Sequence, residues 1–148
     1  MPMILIPVLP AQINSSRTQY PDVSVPPGGF PAGTACGIIS VLGQLRLIAV
    51  GSLDNATSFT GFLPSDIAVG NPVVLITGRG SIATPQVEGG VPLVPDQGVW
   101  LSLTPGFVTQ TPPEPEDTPG LEIVLRVGTA LDTTRIFMLT DSYIQYGS

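Results

Sequence analysis

The stretch from Gly98 to Thr140 restricts the possible folds of this chain more than any other. Val99 to Leu103 is apolar at alternate positions, Thr104-Pro105-Gly106 has turn chemistry, and Phe107 to Gln110 has the character of a return strand. An acidic, proline-rich loop from Thr111 to Gly120 leads to Leu121–Val127. Gly128 is expected to end that run, and Arg135–Thr140 to follow as another strand. A helix needs apolar residues every three or four positions, and these segments repeat every two. Antiparallel strands are the reading.

The rest of the chain has the same texture. Thr34–Ser40 and Gln44–Val50 read as a hairpin around Leu42-Gly43, and Ser58–Phe62 as a short strand or packed loop. Leu63–Ala68 is expected to hold the one helical turn. Pro72–Thr77 and Ser81–Thr84 read as strands joined by Gly78-Arg79-Gly80, while Val91–Val94 contains a proline and qualifies at most as an edge strand. The two pieces 71–85 and 98–112 look alike at an offset of 27 residues, matching Thr77 with Thr104, Thr84 with Thr111 and Pro85 with Pro112. They predict two similar hairpins. Asp141–Tyr146 reads as a closing strand or contact tail. Gly 17 and Pro 17 among 148 residues supply the turns, and 43% apolar content supplies a core. The fold class expected is all-β, a small antiparallel β-barrel or β-sandwich over residues 34–148, preceded by an extended N-terminal arm over residues 1–33.

The arm is read from its prolines and from the lack of any period between Ala11 and Val25. It is either a disordered tail or a segment that lies along a neighbouring subunit, and its apolar side chains favour the second. The start lacks a basic region, and Pro2, Pro7 and Pro10 interrupt its short apolar run. It reads neither as a signal peptide nor as a membrane span.

Charge narrows function. Only 11% of residues are charged, against about 25% in ordinary soluble domains, and there is no lysine. A surface so poor in charge, with mean hydropathy +0.39, is expected to be covered by other chains. The absence of lysine is expected to leave sheet edges undefended. Five arginines and a net charge of −6 argue against nucleic-acid binding. With no histidine, Ser-His-Asp and Cys-His sites are excluded, and with no lysine so are Schiff bases and P-loops. One cysteine, Cys36, rules out thiolate clusters and reads as a small buried apolar residue. Most of the eleven acids stand in turns, where carboxylates cap backbone donors, so no facing pair for glycoside hydrolysis is expected. Glu114, Glu116 and Asp117 are weighed as a calcium site and read as a solvated loop. No catalytic residue, metal or cofactor is expected. Trp100 is read as core or as a subunit-contact anchor, and Arg126 and Arg135 as partners of strand acids or residues that cross an interface.

A resemblance carries the reading further. Trp100-Leu101-Ser102, Thr104-Pro105-Gly106, Val108-Thr109, Thr111-Pro112-Pro113, Arg126-Val127-Gly128-Thr129-Ala130-Leu131 and Phe30–Cys36 resemble the small structural proteins of tailed phages, above all the head-decoration or cement proteins. The resemblance implies a β-rich virion protein, made in the host cytoplasm, that binds the outer surface of the capsid. Its implied partners are the major capsid protein and further copies of itself in a homotrimer, with no nucleic acid and no membrane. A tail, fibre or spike component that contacts the host surface is the alternative. The expected capsid or inter-subunit contacts are Met3, Ile4, Leu5, Ile6, Val8, Leu9, Tyr20, Phe30, Trp100, Tyr143 and Tyr146.

Overall fold

A computed structural model describes residues 16–145. Strands β1 (Arg17–Tyr20), β2 (Val23–Ser24), β3 (Ala35–Val41), β4 (Gln44–Ala49), β5 (Phe59–Phe62) and β6 (Val73–Ile76) make one sheet, in the spatial order β1-β6-β5-β3-β4-β2. A second sheet contains β7 (Ile82–Ala83), β8 (Gly98–Leu101), β9 (Val108–Thr109), β10 (Ile123–Ala130) and β11 (Ile136–Gln145), in the order β7-β11-β10-β8-β9. Neighbouring strands are antiparallel apart from the short β2–β4 pair. The fold is all-β, as the alternation requires.

Alternation along the first sheet divides its side chains between two apolar layers. Ala35, Val50, Phe62 and Ile76 face the second sheet and meet Val99, Leu101, Val127, Ile136 and Met138 in the main core. Their neighbours Cys36, Leu47, Val73 and Leu75 point the other way. Loops cover that outer layer, contributing Val25, Leu63 and Ile67. Phe30 and Ile67 exchange backbone hydrogen bonds of 3.0 and 2.9 Å to close the cover. Leu63–Ala68 is therefore a bent loop with an isolated bridge at Ile67, not a helical turn. The Ile67 N–H, which a helical turn would send to the Leu63 carbonyl, goes to Phe30, and the Leu63 carbonyl accepts from the Gly33 N–H at 2.8 Å. The short 3-10 turns fall elsewhere, at Ala56–Ser58 and Glu88–Gly90.

Backbone hydrogen bonds also stitch the two sheets along one side. Ala35 N–H donates to the Gly106 carbonyl at 2.9 Å, Gly106 N–H to Val50 at 2.8 Å, and Ser52 N–H to Ser102 at 2.8 Å. Inside the sandwich, the Ser52 hydroxyl donates to the Leu101 carbonyl at 2.7 Å.

Several elements differ from the sequence reading. Residues 17–33, read as the latter half of the arm, supply β1, β2 and part of the outer layer. Their polar, aperiodic sequence fits edge strands, of which three β1 residues are exposed. Gly78-Arg79-Gly80 does not close a hairpin. β6 stays in the first sheet, beside β1 and β5, while β7 pairs with β11 in the second. The look-alike segment 98–112 does form a hairpin, with Trp100 opposite Thr109 and Leu101 opposite Val108. The internal likeness is thus not a structural repeat, because β1 and β11 take up the edges that β6 and β7 would have offered each other.

Gly128 does not end its strand. It lies within β10 where the register shifts, and a Cβ there would come within 2.2 Å of the Phe137 carbonyl oxygen. The glycine admits a close approach by β11, which continues without a break through Asp141–Gln145. The outermost strands β2, β7 and β9 are two residues long and β1 is four. The edges, expected to be undefended for want of lysine, are protected by their brevity.

Phe62 is fully buried where the first sheet meets the second. Replacing it with alanine is expected to cost about 3–5 kcal/mol, read as a lower denaturant midpoint with an unchanged slope.

Candidate interaction surface

The hairpin of β3 and β4 pairs Val41 with Gln44, leaving Leu42-Gly43 as a two-residue loop. Both loop residues have positive φ, 52° for Leu42 and 79° for Gly43. Such a turn matches the strands' twist and favours Asn-Gly or Asp-Gly, because the left-handed region is costly for a branched side chain. Here the first position is a leucine that is 96% exposed, with exposed Leu45 behind it on β4. Two local rules of folding are broken at one residue.

At the other end of β3, a cleft of about 790 Å³ opens between the two sheets. Ile76 and Ile82 line it from the strands, Val87, Val91 and Pro92 from the loop before β8, and Arg17 is its one charged residue. Val91 is 57% exposed on this lining. Thr133 and Thr134 form part of the wall and stand in the β10–β11 turn. Asp132 holds that turn. Its Oδ1 accepts from the backbone N–H groups of Thr134 at 3.0 Å and Arg135 at 2.8 Å, and its Oδ2 pairs with Arg135. The Thr134 N–H, then the Arg135 side chain, lower the carboxyl from its ordinary value of 3.8 to about 2.

Of the expected contact residues, Met3, Ile4, Leu5, Ile6, Val8, Leu9 and Tyr146 lie outside the described residues. Tyr20 and Phe30, assigned from sequence to grooves on a neighbour, are half-buried against the outer apolar layer of their own chain. Their segment enters the sheet, which brings both rings onto it. Tyr143 stands opposite Leu125 in the β10–β11 register.

Trp100 faces outward from the second sheet, not into the core. Its ring lies over Gly98, where a Cβ would come within 2.7 Å of the indole. Arg126, opposite it on β10, sits 5.9 Å from the ring centroid and donates to Thr129 Oγ1 at 2.8 Å and to the Gly128 carbonyl at 3.3 Å. Arg126 therefore stacks on an indole and bonds within its own strand, where the sequence suggested a strand acid. Arg135 pairs with a turn acid, Asp132.

Other acids are engaged locally too. Glu88 Oε1 accepts from Ser102 Oγ at 2.9 Å and Thr104 Oγ1 at 2.6 Å, and Asp66 accepts from the Ala32 N–H at 2.8 Å. Glu114, Glu116 and Asp117 are exposed, and among the described residues no group of three potential ligands is placed to hold a metal. Burial pushes the Cys36 thiol up to about 12, far from a reactive thiolate. Among the described residues no helix is long and apolar enough to cross a membrane. Comparison with family models, curated proteins and solved structures finds no match to this chain.

Leu42 and Val91 are the surface residues that sequence reading passed over. For Leu42 the signal was present, as an apolar residue in a two-residue hairpin position that calls for Asn, Asp or Gly.

Because the Asp132 carboxyl is held low in the folded protein, its contribution is fully present above the ordinary carboxylate range and is lost as pH falls through about 2. Asp132→Ala should melt at a lower temperature than the parent at pH 7. The gap should close progressively between pH 4 and pH 2 in parallel thermal melts.

Proposed function

We propose that this chain is a capsid decoration protein, which binds the outer surface of a tailed-phage head, associates with copies of itself as a homotrimer and stabilises the shell by bridging capsid subunits. The observation that carries the reading is the combination of a sparsely charged surface with apolar side chains presented at the tips of loops. Leu42, Leu53, Val69, Val91 and Val94 are all exposed, and all lie outside the strands. Folding gains nothing from them there, whereas a contact with another protein surface would bury them. The resemblance of the 99–134 and 30–36 segments to cement proteins supplies the kind of surface.

A decoration protein of this type acts by linkage. It binds the assembled, expanded shell and not the free capsid subunit, so each bound copy stabilises the assembled state. Multiple contacts from one oligomer raise the effective concentration of each. Attachment through apolar loop tips, by a chain with only 11% charged residues, should depend little on salt.

Labelled protein mixed with expanded heads of its own phage is expected to co-sediment at saturating, stoichiometric occupancy, both at low salt and at 0.5 M NaCl. Decorated heads should withstand heating that bursts bare ones. Failure to bind heads, together with binding to isolated tails or to host cells, would overturn this reading in favour of a tail, fibre or spike role.

A further inference from the structure

We infer that the Leu42 hairpin tip of one copy inserts into the cleft lined by Ile82 and Val91 on a second copy, giving a head-to-tail contact. The inference rests on the self-associating half of the reading above and not on capsid attachment.

Three observations converge on a second copy as the occupant. The first is the tip itself. A leucine held at φ 52° and left 96% exposed is unfavourable for an isolated chain both in its backbone and in its hydration. Such an outlier points to a use outside the fold.

The second is chemical fit. The tip, Val41-Leu42-Gly43-Gln44, carries no charge. The cleft presents aliphatic and proline side chains beside Gln86 and the hydroxyls of Thr84, Thr133 and Thr134, with Arg17 as its one charge. At about 790 Å³ it is large enough to take a hairpin tip, not only one side chain.

The third is position. Gly33, just before β3, lines the cleft, and Leu42 follows the far end of β3. Eight or nine residues of extended strand separate knob from hole by roughly 25–30 Å. β3 is central in its sheet, paired on both sides, so it cannot fold its tip back. Leu42 therefore cannot reach the cleft of its own chain but can reach a neighbour's. Different patches meeting in this way make a heterologous interface, the kind that builds rings or filaments.

Two variants separate the halves of the contact. Leu42→Asn removes the knob and places at the turn a residue that tolerates its left-handed backbone, so the chain should fold at least as stably as the parent. Val91→Glu spoils the hole at a site exposed enough to leave folding intact. Sedimentation velocity over a concentration series is expected to show the parent as an oligomer. Each variant alone should dissociate at concentrations about tenfold to a hundredfold higher, as loss of one buried leucine implies. Mixing the two variants should restore a 1:1 pair that grows no further, because one intact knob meets one intact hole. A misfolded variant would not give this complementation.

The contact is overturned if Leu42→Asn keeps the parent's mass, or if the mixed variants remain monomers. It is equally overturned if association is lost only on deleting residues 1–15, which would make that segment the occupant. A parent that stays monomeric at every concentration overturns it together with the homotrimer. Sedimentation with heads reads capsid attachment separately.

Discussion

The two-sided burial of the first sheet is the constraint on which the rest of this structure depends. β3, β6 and β4 with the Val50 that follows it place alternate residues in two different apolar layers, Ala35, Val50 and Ile76 inward and Cys36, Leu47, Val73 and Leu75 outward. The inner layer is closed by the second sheet. Among the described residues no third sheet covers the outer one, which depends on loops. This is why residues 25–33 and 63–67 are pinned to each other by Phe30 and Ile67, and why Asp66 reaches the Ala32 N–H. The polar side chains buried in the described residues are all hydroxyls, those of Thr34, Ser52, Ser81, Ser102 and Thr118.

That two-layered arrangement separates what was legible in the sequence from what was not. The hairpins 35–49 and 98–109 could be read because their apolar alternation and turn residues are local. The β6–β7 connection could not, because Gly78-Arg79-Gly80 has the same local chemistry whether the chain doubles back or changes sheet. The deciding partners, β1 and β11, lie far off in sequence: 59 residues separate Arg17 from Ile76, and 55 separate Phe137 from Ile82. Gly128 misled for a related reason. A glycine that ends a strand and one that admits a neighbouring carbonyl look alike until the neighbour is placed. Tyr20 and Phe30 were assigned outward because their segment lacked a period, yet edge strands and covering loops need none.

The candidate surface divides similarly. The inventory of side chains bounded the chemistry from the start, since a chain without histidine or lysine has few ways to build a reactive centre. The cleft was invisible in sequence because it is assembled from both sheets and four of the connections between strands. The Trp100–Arg126 stack needed the cross-strand register of β8 and β10, and it places the one indole outside the core where alternation alone left both faces open.

Where β1 begins carries a mechanical consequence. Ser16 N–H donates to Ser81 Oγ at 3.2 Å, Thr77 N–H donates to the Ser16 carbonyl at 2.9 Å, and the Ser81 hydroxyl donates to the Thr77 carbonyl at 2.6 Å. The start of β1 is thereby tied to the crossover between the sheets. Tension applied at Ser16 along the axis of β1 would strain this tie and the β1–β6 rungs simultaneously, in shear, instead of peeling them one after another. A pull perpendicular to the strand would unzip the same bonds in sequence, so the domain should resist force far better in one direction than in the other.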